Sequence, residues 1–80
     1  MSRSQKRLNK MRDNPRDDWT IDNLQTVANS IEGLAMNAPK RGSHYTVSHP
    51  DLPEILTIPA RRPVKSVYVK KFVSMIDSIT

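Results

Sequence analysis

The sequence predicts a small α+β domain in which a three-stranded antiparallel sheet carries two helices on one face. Two segments have apolar residues at helical spacing, and three short stretches between them have the composition or alternation of strands. Each helix has a single apolar stripe to bury, so both are expected on the same face of the sheet. With 80 residues, the chain forms one domain without room for a deep cavity, so its function must lie on the surface.

An additional helix is predicted in front of this domain, from Ser4 to about Arg12. Ser4 is a suitable cap, and Asn14-Pro15 would end the helix. Leu8 and Met11 alone form its apolar side. Such a weak apolar face leaves two interpretations open: a helix that extends the core, or a basic arm that orders on RNA or on a partner.

The next helix has a clearer pattern. Thr20 is a candidate N-cap. Gly33 can adopt the left-handed conformation that commonly terminates a helix. The apolar residues between them recur at three- and four-residue spacing: Ile21, Leu24, Val27, Ala28 and Ile31. The segment is therefore predicted to be an amphipathic helix.

Three strands are predicted to follow. Leu34–Asn37 is a short apolar stretch, and a turn at 39–42 separates it from an alternating strand. In that strand Tyr45 and Val47 would face the core, so His44 would face outward. A second turn, at 50–53, precedes the third strand.

The third strand, Ile55 to Ile58, ends at Pro59, and a basic loop then leads to the last helix. This helix is predicted to begin at about Ser66. Its apolar residues keep helical spacing: Val69, Phe72, Val73, Ile76 and Ile79.

The charge distribution favours an anionic partner. The net charge is +5, from 13 basic and 8 acidic residues. We divide the chain into a basic N-terminal extension, 1–18, and a domain, 19–80, because bases are concentrated in the extension and after residue 38. The absence of cysteine excludes disulfides and thiolate metal sites. No apolar run is long enough to span a membrane, so a cytoplasmic protein is expected.

His44 is the candidate catalytic residue. An imidazole can accept or donate a proton near neutral pH, and Gly42 and Ser43 place this one directly after a turn. Gly42 permits a close backbone approach, and Ser43 can donate a hydrogen bond to phosphate or shape the turn. Basic residues near the predicted hairpin are candidates for binding RNA phosphates: Lys40, Arg41, Arg61, Arg62 and Lys65. A structural role for a lone strand histidine remains the alternative.

Two nearby residues receive structural interpretations. His49 precedes a proline in a turn, which favours a structural or solvent-exposed side chain over substrate contact. Tyr45 could stack on a base, but its predicted direction is into the core. His44 and His49 would lie on opposite faces of the strand without a patterned carboxylate, so no metal site is predicted.

The stretch from Arg41 to Asp77 resembles the HicA family of bacterial toxins. The similarity rests on Gly42-Ser43-His44, His49-Pro50, Ile55 to Pro59 and the amphipathic last helix, in this order. Together with the helix from Thr20 to Ile31, it covers about three-quarters of the chain. Two departures are clear: many members have a second histidine where this chain has Tyr45, and many lack the 18 extra N-terminal residues.

The resemblance implies a fold like a double-stranded-RNA-binding domain and a toxin that cleaves mRNA. It also implies that His44 is catalytic and that a HicB-like antitoxin covers the active face. We expect a protein that is monomeric when free and that needs no cofactor or metal, since the ribose 2′-hydroxyl itself would attack the phosphorus. A second proton carrier would be His49, a lysine or water. The alternative function is a non-catalytic RNA-binding module on the same fold. A DNA-binding factor is disfavoured because neither helix presents a run of groove-reading side chains.

Overall fold

The computed structural model describes residues 3–40 and 42–80, and this part of the chain forms three helices and three strands. In chain order these are α1 (Arg3–Asp13), α2 (Ile21–Asn29), β1 (Ala35–Asn37), β2 (His44–Ser48), β3 (Leu56–Pro59) and α3 (Ser66–Asp77). The predicted α+β class is confirmed. From α2 onward the element order is the predicted α-β-β-β-α, and α1 is the additional helix in front of it.

The sheet is antiparallel with the strand order β1-β2-β3. Val47 of β2 lies opposite Met36 of β1, and Tyr45 lies opposite Ile58 of β3. Because side chains alternate along a strand, these four residues share one face, and it is the face that packs against the helices. The other face therefore carries His44, as the alternation predicts.

Helix α2 begins where the sequence predicts and ends earlier. Thr20 and Asn23 form a capping box, in which each side chain accepts a hydrogen bond from the main-chain N–H of the other residue. The helix ends at Asn29, because the N–H of Ile31 donates to the carbonyl oxygen of Ala28 at 3.1 Å and so tightens the last turn. Gly33 then adopts a φ of +82°, the left-handed conformation expected of it.

Helix α3 begins at the predicted residue and buries one side against the sheet. Its buried residues are Val69, Phe72, Val73 and Ile76. Lys65 occupies the N-cap position, and its side chain makes no capping hydrogen bond. The first main-chain N–H groups of the helix thus lack a side-chain partner at the end that follows the basic loop.

Helix α1 packs against both α2 and α3. Leu8 is 4% exposed and Met11 is fully buried, and both belong to the same apolar cluster as the strands. At the surface, Arg12 forms an ion pair with Asp77 at the end of α3. Of the two interpretations of this segment, the structure shows the helix that extends the core. The division at residue 18 stays a prediction, and the core draws on both sides of it.

One apolar core connects all the elements. It includes two residues that the hydrophobic pattern did not single out, Trp19 in the α1–α2 loop and Val64 in the β3–α3 loop. Both lie in loops, where the sequence has no helical or strand periodicity. The periodicity of apolar residues therefore could not identify them as core residues. No helix in the described ranges is long and apolar enough to cross a bilayer.

Candidate active site

His44 lies at the start of β2, at one end of the β2–β3 hairpin. Its cross-strand neighbour is Pro59, and the carbonyl oxygen of the preceding Ser43 accepts a hydrogen bond from the N–H of Ala60. The main chain on both sides of the hairpin is therefore fixed at this point. The His44 side chain is exposed and points away from the core.

The chain turns sharply after β3 and brings basic residues to the same end. The N–H of Arg61 donates to the carbonyl oxygen of Pro59 at 2.8 Å, a bond that closes a three-residue turn. The loop then reaches Lys65, the N-cap of α3. As a result, a side chain from the turn and one from the helix start lie beside the beginning of β2.

These residues form a cleft of about 300 Å³, which we call the His44 cleft. It is lined by Ser43, His44, Pro59, Arg61, Lys65 and Tyr68. Among the described residues, this lining includes two cations, Arg61 and Lys65, and no carboxylate. An imidazole and two positive charges in one shallow depression suit an anionic ligand such as a phosphodiester.

Tyr68 was not predicted from the sequence. It lies one turn after Lys65, so the two side chains share one side of α3. The sequence signal that could have indicated Tyr68 is its position three residues after Lys65, which was predicted to bind phosphate. The Tyr68 side chain is half-buried against the core, and in the described part of the chain its hydroxyl has no hydrogen-bond partner.

The cleft offers two groups that are free to meet a ligand. No buried side-chain polar atom lacks a partner in the described ranges, so the unpaired hydroxyl of Tyr68 must reach solvent. The ring nitrogens of His44 likewise make no hydrogen bond with residues 3–40 or 42–80. Both groups can therefore exchange protons with a bound substrate without first breaking an internal contact.

The other residues predicted to bind RNA are distributed differently. Gly42 has a φ of +86° and lies in open space, which fits its predicted role in a turn. Lys40 is exposed but does not line the His44 cleft. Arg62 lines two neighbouring depressions instead. Arg41 lies outside the described residues.

His49 has a structural position at the far end of β2. Its Nδ1 accepts a hydrogen bond from the N–H of Asp51 at 3.0 Å, and its Nε2 lies 3.3 Å from the carbonyl oxygen of Glu32. The tautomer with the proton on Nε2 satisfies both contacts. The ring also fills the space above Gly33, where a Cβ would lie 2.7 Å from Nε2.

Two further predictions concern Tyr45 and metals. Tyr45 is half-buried and packs against the core, as predicted. In the described ranges, no three His, Cys, Asp or Glu side chains form a group that could hold a metal ion. The described residues of the His44 cleft offer an imidazole, a phenol, a hydroxyl and two cations.

Searches with protein-family models, among curated proteins and among solved structures found no match to this chain.

Proposed function

We propose that the protein is a metal-independent endoribonuclease and that His44 is its catalytic residue. The observation that carries the proposal is the His44 cleft, where an exposed imidazole without a hydrogen-bond partner among residues 3–40 and 42–80 lies with Arg61 and Lys65. Cleavage of RNA at neutral pH needs a proton acceptor next to a group that binds phosphate. This cleft supplies both on the surface of a domain too small for an enclosed site.

In the proposed reaction the RNA supplies its own nucleophile. The 2′-hydroxyl attacks the adjacent phosphorus while His44 takes up the hydroxyl proton. The new bond joins O2′ to phosphorus, and the bond from phosphorus to O5′ breaks. The products are a 2′,3′-cyclic phosphate and a 5′-hydroxyl end.

The leaving oxygen needs a proton, and we assign its donation to the hydroxyl of Tyr68, which lines the cleft with His44. Its hydroxyl reaches solvent and has no internal partner in the described ranges, so it is available to O5′. After the products leave, the Tyr68 phenolate regains a proton from water and the His44 imidazolium releases its proton to water, so both groups return to their starting states. The proposal thus takes Tyr68 as the second proton carrier, in place of the three candidates from the sequence: His49, a lysine and water.

Arg61 and Lys65 stabilise the additional negative charge on the phosphorane. A preorganised cation acts where the charge develops, and such stabilisation is often the largest single contribution to catalysis. Neither side chain is paired with a carboxylate in the described part of the chain. Their charge is therefore available to the phosphate.

The resemblance to HicA toxins supports the same function and adds a biological setting. In that setting the enzyme cleaves mRNA and stops translation, and a HicB-like antitoxin neutralises it by covering the face that carries His44. The domain after α1 would then be of the double-stranded-RNA-binding type, with the open face of the sheet beside the basic loop. The chain is expected to act in the cytoplasm as a monomer when free.

The test is cleavage of a labelled single-stranded RNA in EDTA. His44→Ala should abolish cleavage, and the wild-type products should carry cyclic phosphate ends. Thr46→Ala is the matched control, because Thr46 lies on the same face of β2, two residues on, and does not line the cleft. Circular dichroism should show that both variants are folded.

Two outcomes would contradict the proposal. Cleavage by His44→Ala at the wild-type rate would remove His44 from the mechanism. RNA binding without cleavage by the wild-type protein would instead support the non-catalytic RNA-binding module.

A further inference from the structure

A second cationic cleft adjoins the first. Its volume is about 370 Å³, and four basic residues line it together with one acidic residue. The bases are Arg16, Arg61, Arg62 and Lys65, and the acid is Asp17. We call it the Arg16 cleft, because Arg16 comes from the α1–α2 loop and had no predicted role.

The α1–α2 loop holds Arg16 in a defined position. The N–H of Asp17 donates to the carbonyl oxygen of Asn14 at 3.1 Å, which closes a turn with Pro15 and Arg16 at its two central positions. The indole N–H of Trp19 donates to the same carbonyl oxygen at 2.8 Å. Trp19 is itself buried, so the turn is anchored to the core while Arg16 remains exposed.

The same loop is bound directly to the basic loop. The N–H of Val64 donates to the carbonyl oxygen of Trp19 at 2.8 Å, and both side chains are buried in the core. This contact fixes the α1–α2 loop against the β3–α3 loop. The basic residues of the Arg16 cleft therefore come from two loops, the α1–α2 loop and the β3–α3 loop, which the fold holds together.

The positive charge of the Arg16 cleft is not neutralised internally. Within the described ranges none of its four bases has a carboxylate within 4.0 Å. The Asp17 carboxylate accepts a hydrogen bond from the N–H of Asp18 at 2.8 Å, so it is engaged with its own main chain. Four bases against one acid leave a strong net attraction for anions.

The two clefts share a wall. Arg61 and Lys65 line both, so the two clefts are adjacent on the surface. A polyanion with regularly spaced phosphates fits such a pair of neighbouring sites, whereas a single phosphate can occupy only one.

We propose that the Arg16 cleft is a second phosphate-binding subsite that holds the RNA backbone next to the scissile phosphate. The inference rests on the proposed RNA-cleaving function and specifies its substrate as a chain longer than a dinucleotide. Arg16 and Arg62 serve this subsite alone, because neither lines the His44 cleft. Arg61 and Lys65 serve both.

The experiment compares two substrates, a labelled 12-nucleotide single-stranded RNA and a dinucleotide with one phosphodiester. Arg16→Ala and Arg62→Ala should each lower kcat/KM for the oligonucleotide by roughly fivefold, because each removes one phosphate contact. Arg16→Ala should leave kcat/KM for the dinucleotide unchanged. Lys71→Ala is the control for loss of one positive charge, since Lys71 lies on α3 but lines a different groove, beside β3.

A binding measurement gives an independent readout. In the inactive His44→Ala protein, Arg16→Ala should reduce the salt dependence of oligonucleotide binding by about 0.7 in the slope of log K against log salt. The Lys71→Ala change should leave that slope as it was. Thermal unfolding should show that Arg16→Ala, an exposed turn substitution, does not impair folding.

The outcomes separate this inference from the function on which it rests. If the wild type cleaves the oligonucleotide and Arg16→Ala cleaves it as well as Lys71→Ala does, the subsite is wrong and the nuclease stands. Equal losses on the oligonucleotide and the dinucleotide would also contradict the subsite. If the wild type neither binds nor cleaves RNA, both proposals fall.

Discussion

The main-chain N–H of Val64 donates a hydrogen bond of 2.8 Å to the carbonyl oxygen of Trp19. Through this bond the loop after α1 and the loop before α3 hold each other in place. The basic residues of both loops depend on it for their relative positions. The side chain of Trp19 adds a second restraint, because its indole N–H donates to the carbonyl oxygen of Asn14.

Trp19→Phe tests this second restraint. Phenylalanine keeps most of the buried apolar surface but removes the indole donor, so the carbonyl oxygen of Asn14 keeps only its hydrogen bond from the N–H of Asp17. We expect the free energy of unfolding to fall by about 0.5 to 1.5 kcal/mol, the net contribution of one hydrogen bond, measured by urea denaturation. The control is Tyr45→Phe, because the Tyr45 hydroxyl makes no hydrogen bond in the described ranges. Equal stability of Trp19→Phe and the wild type would mean that the indole bond contributes nothing.

A core substitution in α1 tests whether the N-terminal helix is part of the folded domain. Met11 is fully buried, so Met11→Ala should destabilise the protein by about 2 to 5 kcal/mol. Lys10→Ala, at the neighbouring exposed position, should change stability by less than about 0.5 kcal/mol. Chemical denaturation measures both. A basic arm that orders only on RNA would instead leave Met11→Ala as stable as Lys10→Ala.

The two glycines form a natural pair for a test of close packing. Both have positive φ, so alanine costs about 1 kcal/mol of backbone strain at either position. At Gly33 a Cβ would also lie 2.7 Å from the Nε2 of His49, whereas Gly42 has no neighbouring atom within 4 Å. Gly33→Ala should therefore lower the melting temperature distinctly more than Gly42→Ala. Equal shifts would show that the His49 ring moves aside without cost.

Tyr68→Phe tests the proposed source of the leaving-group proton. Loss of the hydroxyl should reduce kcat on RNA by about 100-fold, the usual contribution of a general acid. A substrate with a 4-nitrophenolate leaving group needs no such proton, so Tyr68→Phe should cleave uridine 3′-(4-nitrophenyl) phosphate at nearly the wild-type rate. His44→Ala should fail on both substrates. An equal loss for Tyr68→Phe on both substrates would rule out its role as the acid.

The elements with strong local signals could be predicted from the sequence. Helix α3 follows a regular apolar period, and its start at Ser66 agrees with the prediction. The outward direction of His44 follows from strict alternation with Tyr45 and Val47 in β2. In each case the pattern repeats over several residues of one element, so neighbouring positions support the same conclusion.

Contacts between distant segments could not be predicted in this way. Tyr68 joins His44 only because the start of α3 lies against the β2–β3 hairpin, and no pattern within α3 contains that information. Arg16 faces the basic loop because the main chains of Trp19 and Val64 bond across 45 residues of sequence. The early end of α2 also depends on local hydrogen bonds that its apolar spacing does not reveal.

The position of His49 limits the kind of acid–base catalysis that this domain can perform. Its ring is hydrogen-bonded to main-chain groups of Glu32 and Asp51. These contacts lie at the opposite end of β2 from His44. At the rise of a strand, the five residues from His44 to His49 place the two Cα atoms roughly 16 Å apart, and His49 does not line the His44 cleft. The sequence contains two histidines, but their positions exclude a mechanism in which both transfer protons at the same phosphate.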